Sequence, residues 1–135
     1  MQIDIIGAES LGVRSLCTVV KTRDRNIVID PGVALGFRRY GLLPHPVQVI
    51  ASERTKKLIT NTLQNATDVV ISHYHGDHHP LVNANPYQLS AKRVAKLYIH
   101  PHFWTKSTGN LSANQFYRAK ALAKAFGQRF QVAEG

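Results

Sequence analysis

Ile3 and Ile5 alternate with polar neighbours and run on into Ile6-Gly7, which is the period-two signature of a strand. Residues 16–22 (LCTVVKT) read as a second strand and residues 26–30 (NIVID) as a third, ended by Pro31-Gly32. The polar stretch at residues 23–26 between them is hairpin-like. Three short strands so close together predict an antiparallel meander.

The next stretch breaks the pattern. Gly32, Gly36, Gly41, Pro44 and Pro46 fall close together around Arg38 and Arg39, which predicts a long loop with special backbone angles. Leu58, Ile59 and Leu63 then recur at helical spacing and predict a helix over residues 54–63. Residues 68–72 (DVVIS) form a short, nearly all-apolar run, as expected of a strand covered on both faces. Residues 97–100 (LYIH) resemble it. Ser112 and Gln115 form a capping-box pattern ahead of an apolar face at Phe116, Ala119, Ala123 and Phe126. Gly127 is the expected helix stop, with Phe130 and Val132 beginning another strand.

Composition narrows the class. A chain of 135 residues that is 44% hydrophobic fits one modest globular domain rather than a disordered tail. No apolar run approaches the ~20 residues of a membrane helix, so no membrane association is expected. The start of the chain lacks a basic leader followed by an apolar stretch. With the single cysteine, Cys17, this points to the cytoplasm. Cys17 sits in a strand with no evident catalytic partner and reads as a small buried residue. The formal net charge is +9. After Asp77 the only acid is Glu134, against eight lysines and arginines. Such an excess attracts polyanions, so nucleic acid or a phosphorylated substrate is one expected partner class; a solvated helix face or an acidic partner chain is the plainer reading.

The chemistry concentrates at residues 69–81, VVISHYHGDHHPL. An apolar strand runs directly into His73, His75, Asp77 and His78, with His79 following. Imidazole nitrogens and a carboxylate are the ligands that borderline divalent cations such as Zn²⁺ prefer. Ligands two residues apart converge where a strand opens into a turn, and Gly76 is the expected source of the bend. Packing alone would not gather four titratable groups at the end of an apolar strand. Without a cation, the crowded imidazoles would resist protonation.

This His-x-His-x-Asp-His pattern after a buried strand resembles the metallo-β-lactamase superfamily. IVIDPG, with Asp30, is similar to that superfamily's first motif. IDPGVALGFRRYGLLPHP and SHYHGDHHPL together resemble an uncharacterised archaeal branch of predicted metal-dependent hydrolases. The resemblance implies an α/β fold, half of a four-layer αββα sandwich. His73 and His75 would hold one metal, Asp77 and His78 a second, and Asp30 would orient a ligand from behind or stabilise the loop. It implies one or two Zn²⁺ ions, other divalent metals being possible. The implied activity is hydrolysis, with metal-activated water attacking an ester or phosphodiester and Asp77 as the catalytic carboxylate. Arg38, Arg39 or His45 on the Gly/Pro loop would grip an anionic group, the plainer reading being a structural loop.

That superfamily completes its centre with later histidines and an aspartate. Here no histidine follows His102 and no aspartate follows Asp77. His100 and His102 come too soon after the motif to serve. The chain therefore reads as the N-terminal half of such a domain over residues 1–135, needing a C-terminal half chain or a homo-oligomer to complete it. The other reading is a non-catalytic metal-binding remnant or assembly subunit.

Overall fold

The computed structural model describes residues 1–127 and 130–132. It is a mixed α/β structure built on one six-stranded sheet whose strands lie side by side in chain order. The meander comprises β1 (Gln2–Ile5), β2 (Thr18–Lys21) and β3 (Asn26–Ile29), paired antiparallel as their closeness in the chain predicts. From β3 onward the pairing turns parallel, through β4 (Asp68–Ile71), β5 (His102–Thr105) and β6 (Phe130–Val132). Parallel neighbours need long crossovers, and α1 (Pro46–Leu63) and α3 (Ala113–Phe126) supply two of them. The short α2 (Ala91–Val94), continued as a 3₁₀ turn at Ala95–Tyr98, lies in the third.

Two elements depart from the sequence expectation. The helix starts at Pro46, eight residues before residue 54, inside the stretch read as loop. His45 caps it by accepting the Val47 N–H at Nδ1, 3.2 Å. Pro46 then sits in the first turn, where its missing N–H costs nothing. Residues 97–100 are not a strand. Tyr98 ends the 3₁₀ turn with its ring 4.3 Å from Phe126 and 5.2 Å from Phe103, and the strand follows at His102. A short apolar run does not by itself distinguish the two conformations.

Register decides which side chains form the core. Val19, Val28, Val69 and Phe103 stand opposite one another across β2 to β5, each at most 2% exposed. They pack with Ile59 and Leu63 of α1 and with Ala119, Leu122 and Phe126 of α3. Phe116 lies outside this core and is exposed. Cys17 is fully buried beside the core, and burial pushes its thiol pKa up to about 12, so it is no nucleophile.

Among the described residues nothing covers the opposite face of the sheet. Ile5, Thr18, Ile29, Val70 and Trp104 form one cross-strand row on that face, and Ile3, Val20 and Ile27 form a second. Ile3, Ile5 and Trp104 are exposed, and the others are only partly buried. Helices thus cover one face of the sheet while an apolar face remains open. Among the described residues no helix is long and apolar enough to cross a membrane.

Candidate metal centre

The site forms where β3 and β4, parallel neighbours, end side by side. Ligand sites of α/β sheets lie at such carboxyl ends. Asp30 is the first residue beyond β3 and is 3% exposed. Its N–H continues the ladder to the Val70 carbonyl at 2.8 Å. Its φ of 49° lies in the left-handed region, which aspartate tolerates better than most residues. This turn points the carboxylate across to the residues after β4.

Asp30 Oδ1 accepts the Ser72 backbone N–H at 2.8 Å, and Oδ2 accepts the Ser72 hydroxyl at 2.6 Å. Oδ2 also lies 3.0 Å from His78 Nδ1. An ionised carboxylate only accepts, so His78 carries its proton on Nδ1 and its lone pair on Nε2. The Ser72 hydroxyl spends its one proton on Asp30. Its oxygen therefore accepts from His73 Nδ1, 2.9 Å away, and His73 too presents the lone pair of Nε2. One buried carboxylate sets the tautomer of two histidines.

The rings crowd together. His73 lies 3.9 Å from His78 and 4.7 Å from His75 between centroids. Burial lowers the His73 pKa, and the neighbouring His78 and His75 lower it further, so the ring favours the neutral form that binds metal. Asp77 Oδ2 lies 3.9 Å from His78 Nε2 and 3.6 Å from Arg14 Nη2. His75 is exposed, with Nε2 3.3 Å from the Gln115 side-chain nitrogen. Gln115 thus reaches the histidine cluster, while its backbone N–H takes the cap from Ser112 Oγ at 3.4 Å.

Asp30, His73 and His78 fit a divalent cation, and the donors of His75 and Asp77 lie outside that group. Donor atoms of Asp30, His73 and His78 lie within 4.8 Å of one another. Within that group Asp30 already accepts from three donors, two from Ser72 and one from His78. His79 turns away into the core, with Nδ1 2.7 Å from the Pro80 carbonyl. His102 begins β5 opposite Asp68, at the far end of the sheet from the cluster.

The bend does not come from left-handed backbone at Gly76, whose φ is not positive. A Cβ there would meet the Leu81 side chain at 2.9 Å. The stricter glycine is Gly32. A Cβ on it would run into the backbone of Asp77, His78 and His79. We expect Gly32→Ala to cost about 1–3 kcal/mol by overpacking and to weaken metal binding as well. Denaturant melts and metal titration would check this; an unchanged midpoint would contradict the close packing.

Arg38, Arg39 and His45 of the Gly/Pro loop do not line the cleft that holds the histidines. Arg39 and His45 line a separate cleft that shares Arg14 with the histidine site. The basic groups beside the cluster are Arg14 and Arg118, which line a cleft with His75, Asp77 and His78. No local pattern marks either arginine, because one lies in an irregular segment before β2 and the other on α3.

A sheet with helices on one face and a histidine–aspartate cluster at its carboxyl edge defines a metallo-β-lactamase type of domain. The chain matches the family model of the metallo-beta-lactamase superfamily over residues 11–121 and belongs to that superfamily. Its relatives are archaeal UPF0282 proteins. It is 48% identical over all 135 residues to a UPF0282 protein of Methanosarcina mazei, covering 44% of that protein. It is 39% identical to relatives from Metallosphaera sedula and Pyrobaculum calidifontis, over 92% and 93% of this chain and 40% and 42% of theirs. The chain thus spans less than half the length of these relatives. No solved structure matches it.

Proposed function

We propose that this chain carries the metal-holding part of a metal-dependent hydrolase acting on an ester or phosphodiester. The observation that carries the reading is the convergence of His73, His75 and His78 after β4, two of them held in one tautomer by Asp30. His73, His75, Asp77 and His78 would hold the metal, and zinc suits this nitrogen and oxygen donor set. When bound, zinc supplies a Lewis acid and makes water a usable nucleophile near neutral pH. The chain's own part is positional. Asp30 and Ser72 keep the ligand lone pairs aimed outward, and Asp77 at the cleft offers a carboxylate to orient the attacking water.

Four such groups shared between two metals leave each short of the three protein ligands usual for catalytic zinc. We propose that the remaining donors come from a further polypeptide, matching the part of the relatives that this chain does not span. The same segment would cover the open sheet face. The test is metal content and phosphodiester or ester turnover of the chain expressed with that segment. Stoichiometric metal and turnover, both lost in His73→Ala, are expected. A folded pair that binds no metal overturns the reading. A pair that binds metal without turnover leaves a metal-binding assembly subunit instead.

A further inference from the structure

The cleft beside the histidines has a volume of about 600 Å³, within the range of small-molecule sites. Its polar lining includes Arg14, Arg118, Asn85 and Gln88 as well as the cluster itself. The two amides are not free to present either end. Asn85 Oδ1 accepts the Tyr87 N–H at 2.9 Å, and Gln88 Oε1 accepts the Asn85 N–H at 3.0 Å. A backbone N–H can only donate, so these bonds fix which end of each amide is oxygen. The NH₂ groups are what remain. That of Gln88 lies over the metal loop, 3.7 Å from where a Cβ on Gly76 would be.

The wall is held firmly. Buried Lys56 of α1 donates to the Pro86 carbonyl at 2.5 Å, and Ser52 Oγ donates to the Tyr87 carbonyl at 3.4 Å. Both contacts clamp the segment that carries Asn85 and Gln88. Arg118 donates to the Tyr74 carbonyl at 3.3 Å, which ties α3 to the loop between His73 and His75. Two guanidinium groups and two amide donors therefore line one cleft with a single carboxylate, Asp77. Arg14 spans Asp77 at 3.6 Å through Nη2 and Glu9 at 3.5 Å through Nε.

We infer that this wall binds a phosphoryl group, so that the substrate of the proposed hydrolase is a phosphoester whose phosphate lies between Arg14, Arg118 and the Gln88 amide. A tetrahedral oxyanion has acceptors in several directions, which suits donors arriving from α3, from the segment before β2 and from the 85–88 turn. The substrate assignment rests on the metal-dependent reading above; the anion site does not.

The test uses the full chain, stripped of metal and titrated with inorganic phosphate, with acetate as the carboxylate comparison. Saturable phosphate binding that weakens with added salt is expected, and weaker acetate binding. Gln88→Glu retains the acceptor for Asn85 but replaces the NH₂ with an anionic oxygen. It is expected to lower phosphate affinity by at least about tenfold with the melting temperature unchanged. Arg14→Gln is expected to act in the same direction. Folded protein that ignores phosphate, prefers acetate, or binds phosphate equally well in both variants overturns the inference. Metal binding measured on the same samples separates the two claims. Intact metal binding without phosphate binding sinks only the anion site, and phosphate binding without metal binding sinks only the hydrolase.

Discussion

Asp30→Asn is expected to lower metal affinity by about 10- to 100-fold while the protein stays folded. The substitution preserves shape, so Oδ1 can still accept the Ser72 N–H now seen at 2.8 Å. The other oxygen becomes an NH₂ facing both the Ser72 hydroxyl and His78 Nδ1. That NH₂ donates, so His78 Nδ1 must accept. The proton moves to His78 Nε2, and the lone pair intended for a metal is lost. The Ser72 hydroxyl loses its acceptor at the same time and is free to donate to His73 Nδ1, which frees His73 to take the same wrong tautomer. Isothermal titration with zinc, together with thermal melts, would measure both effects. Wild-type affinity in a folded Asp30→Asn protein would show that the carboxylate does not govern the histidines.

The second large effect concerns the open sheet face. Ile29 stands at the centre of its apolar row, between Thr18 and Val70. Its side chain is only partly buried, so Ile29→Lys should change the stability of the isolated chain little. Against the proposed completing segment the same change buries a charge without a partner. We expect it to weaken association by at least about 2 kcal/mol, near 30-fold. Sedimentation or titration of the two polypeptides would read this directly. Equal association of wild type and variant would place the completing segment elsewhere. A wild-type chain that forms a stable homo-oligomer through this face, lost in the variant, would assign the face to a second copy.

Much of this was legible from local pattern. Short apolar segments marked β1, β2 and β3, and their closeness in the chain marked the antiparallel order, because parallel neighbours need long crossovers. The apolar run at residues 68–72 marked β4, and the cluster of His73, His75, Asp77 and His78 stood out because no packing role accounts for it. Ser112 and Gly127 marked the ends of α3. Other features were hidden from local pattern. The start of α1 depended on His45 serving as a cap next to Pro46, and both residues also fit a loop. The turn at Tyr98 depended on stacking against Phe103 and Phe126, which are distant in the chain.

The amino-acid sequence by itself determined the superfamily, the strand-forming segments and the donor chemistry at residues 73–78, since these are written in neighbouring residues. Tertiary structure alone decided how that chemistry is held. Asp30 meets Ser72 and His78 because β3 and β4 pair in parallel register, which brings together groups more than forty positions apart. The same folding brings Arg14, Gln88 and Arg118 around one cleft and leaves Ile5, Ile29, Val70 and Trp104 on an open face. Strand register and crossover packing are set by the whole core, so no stretch of neighbouring residues encodes those meetings.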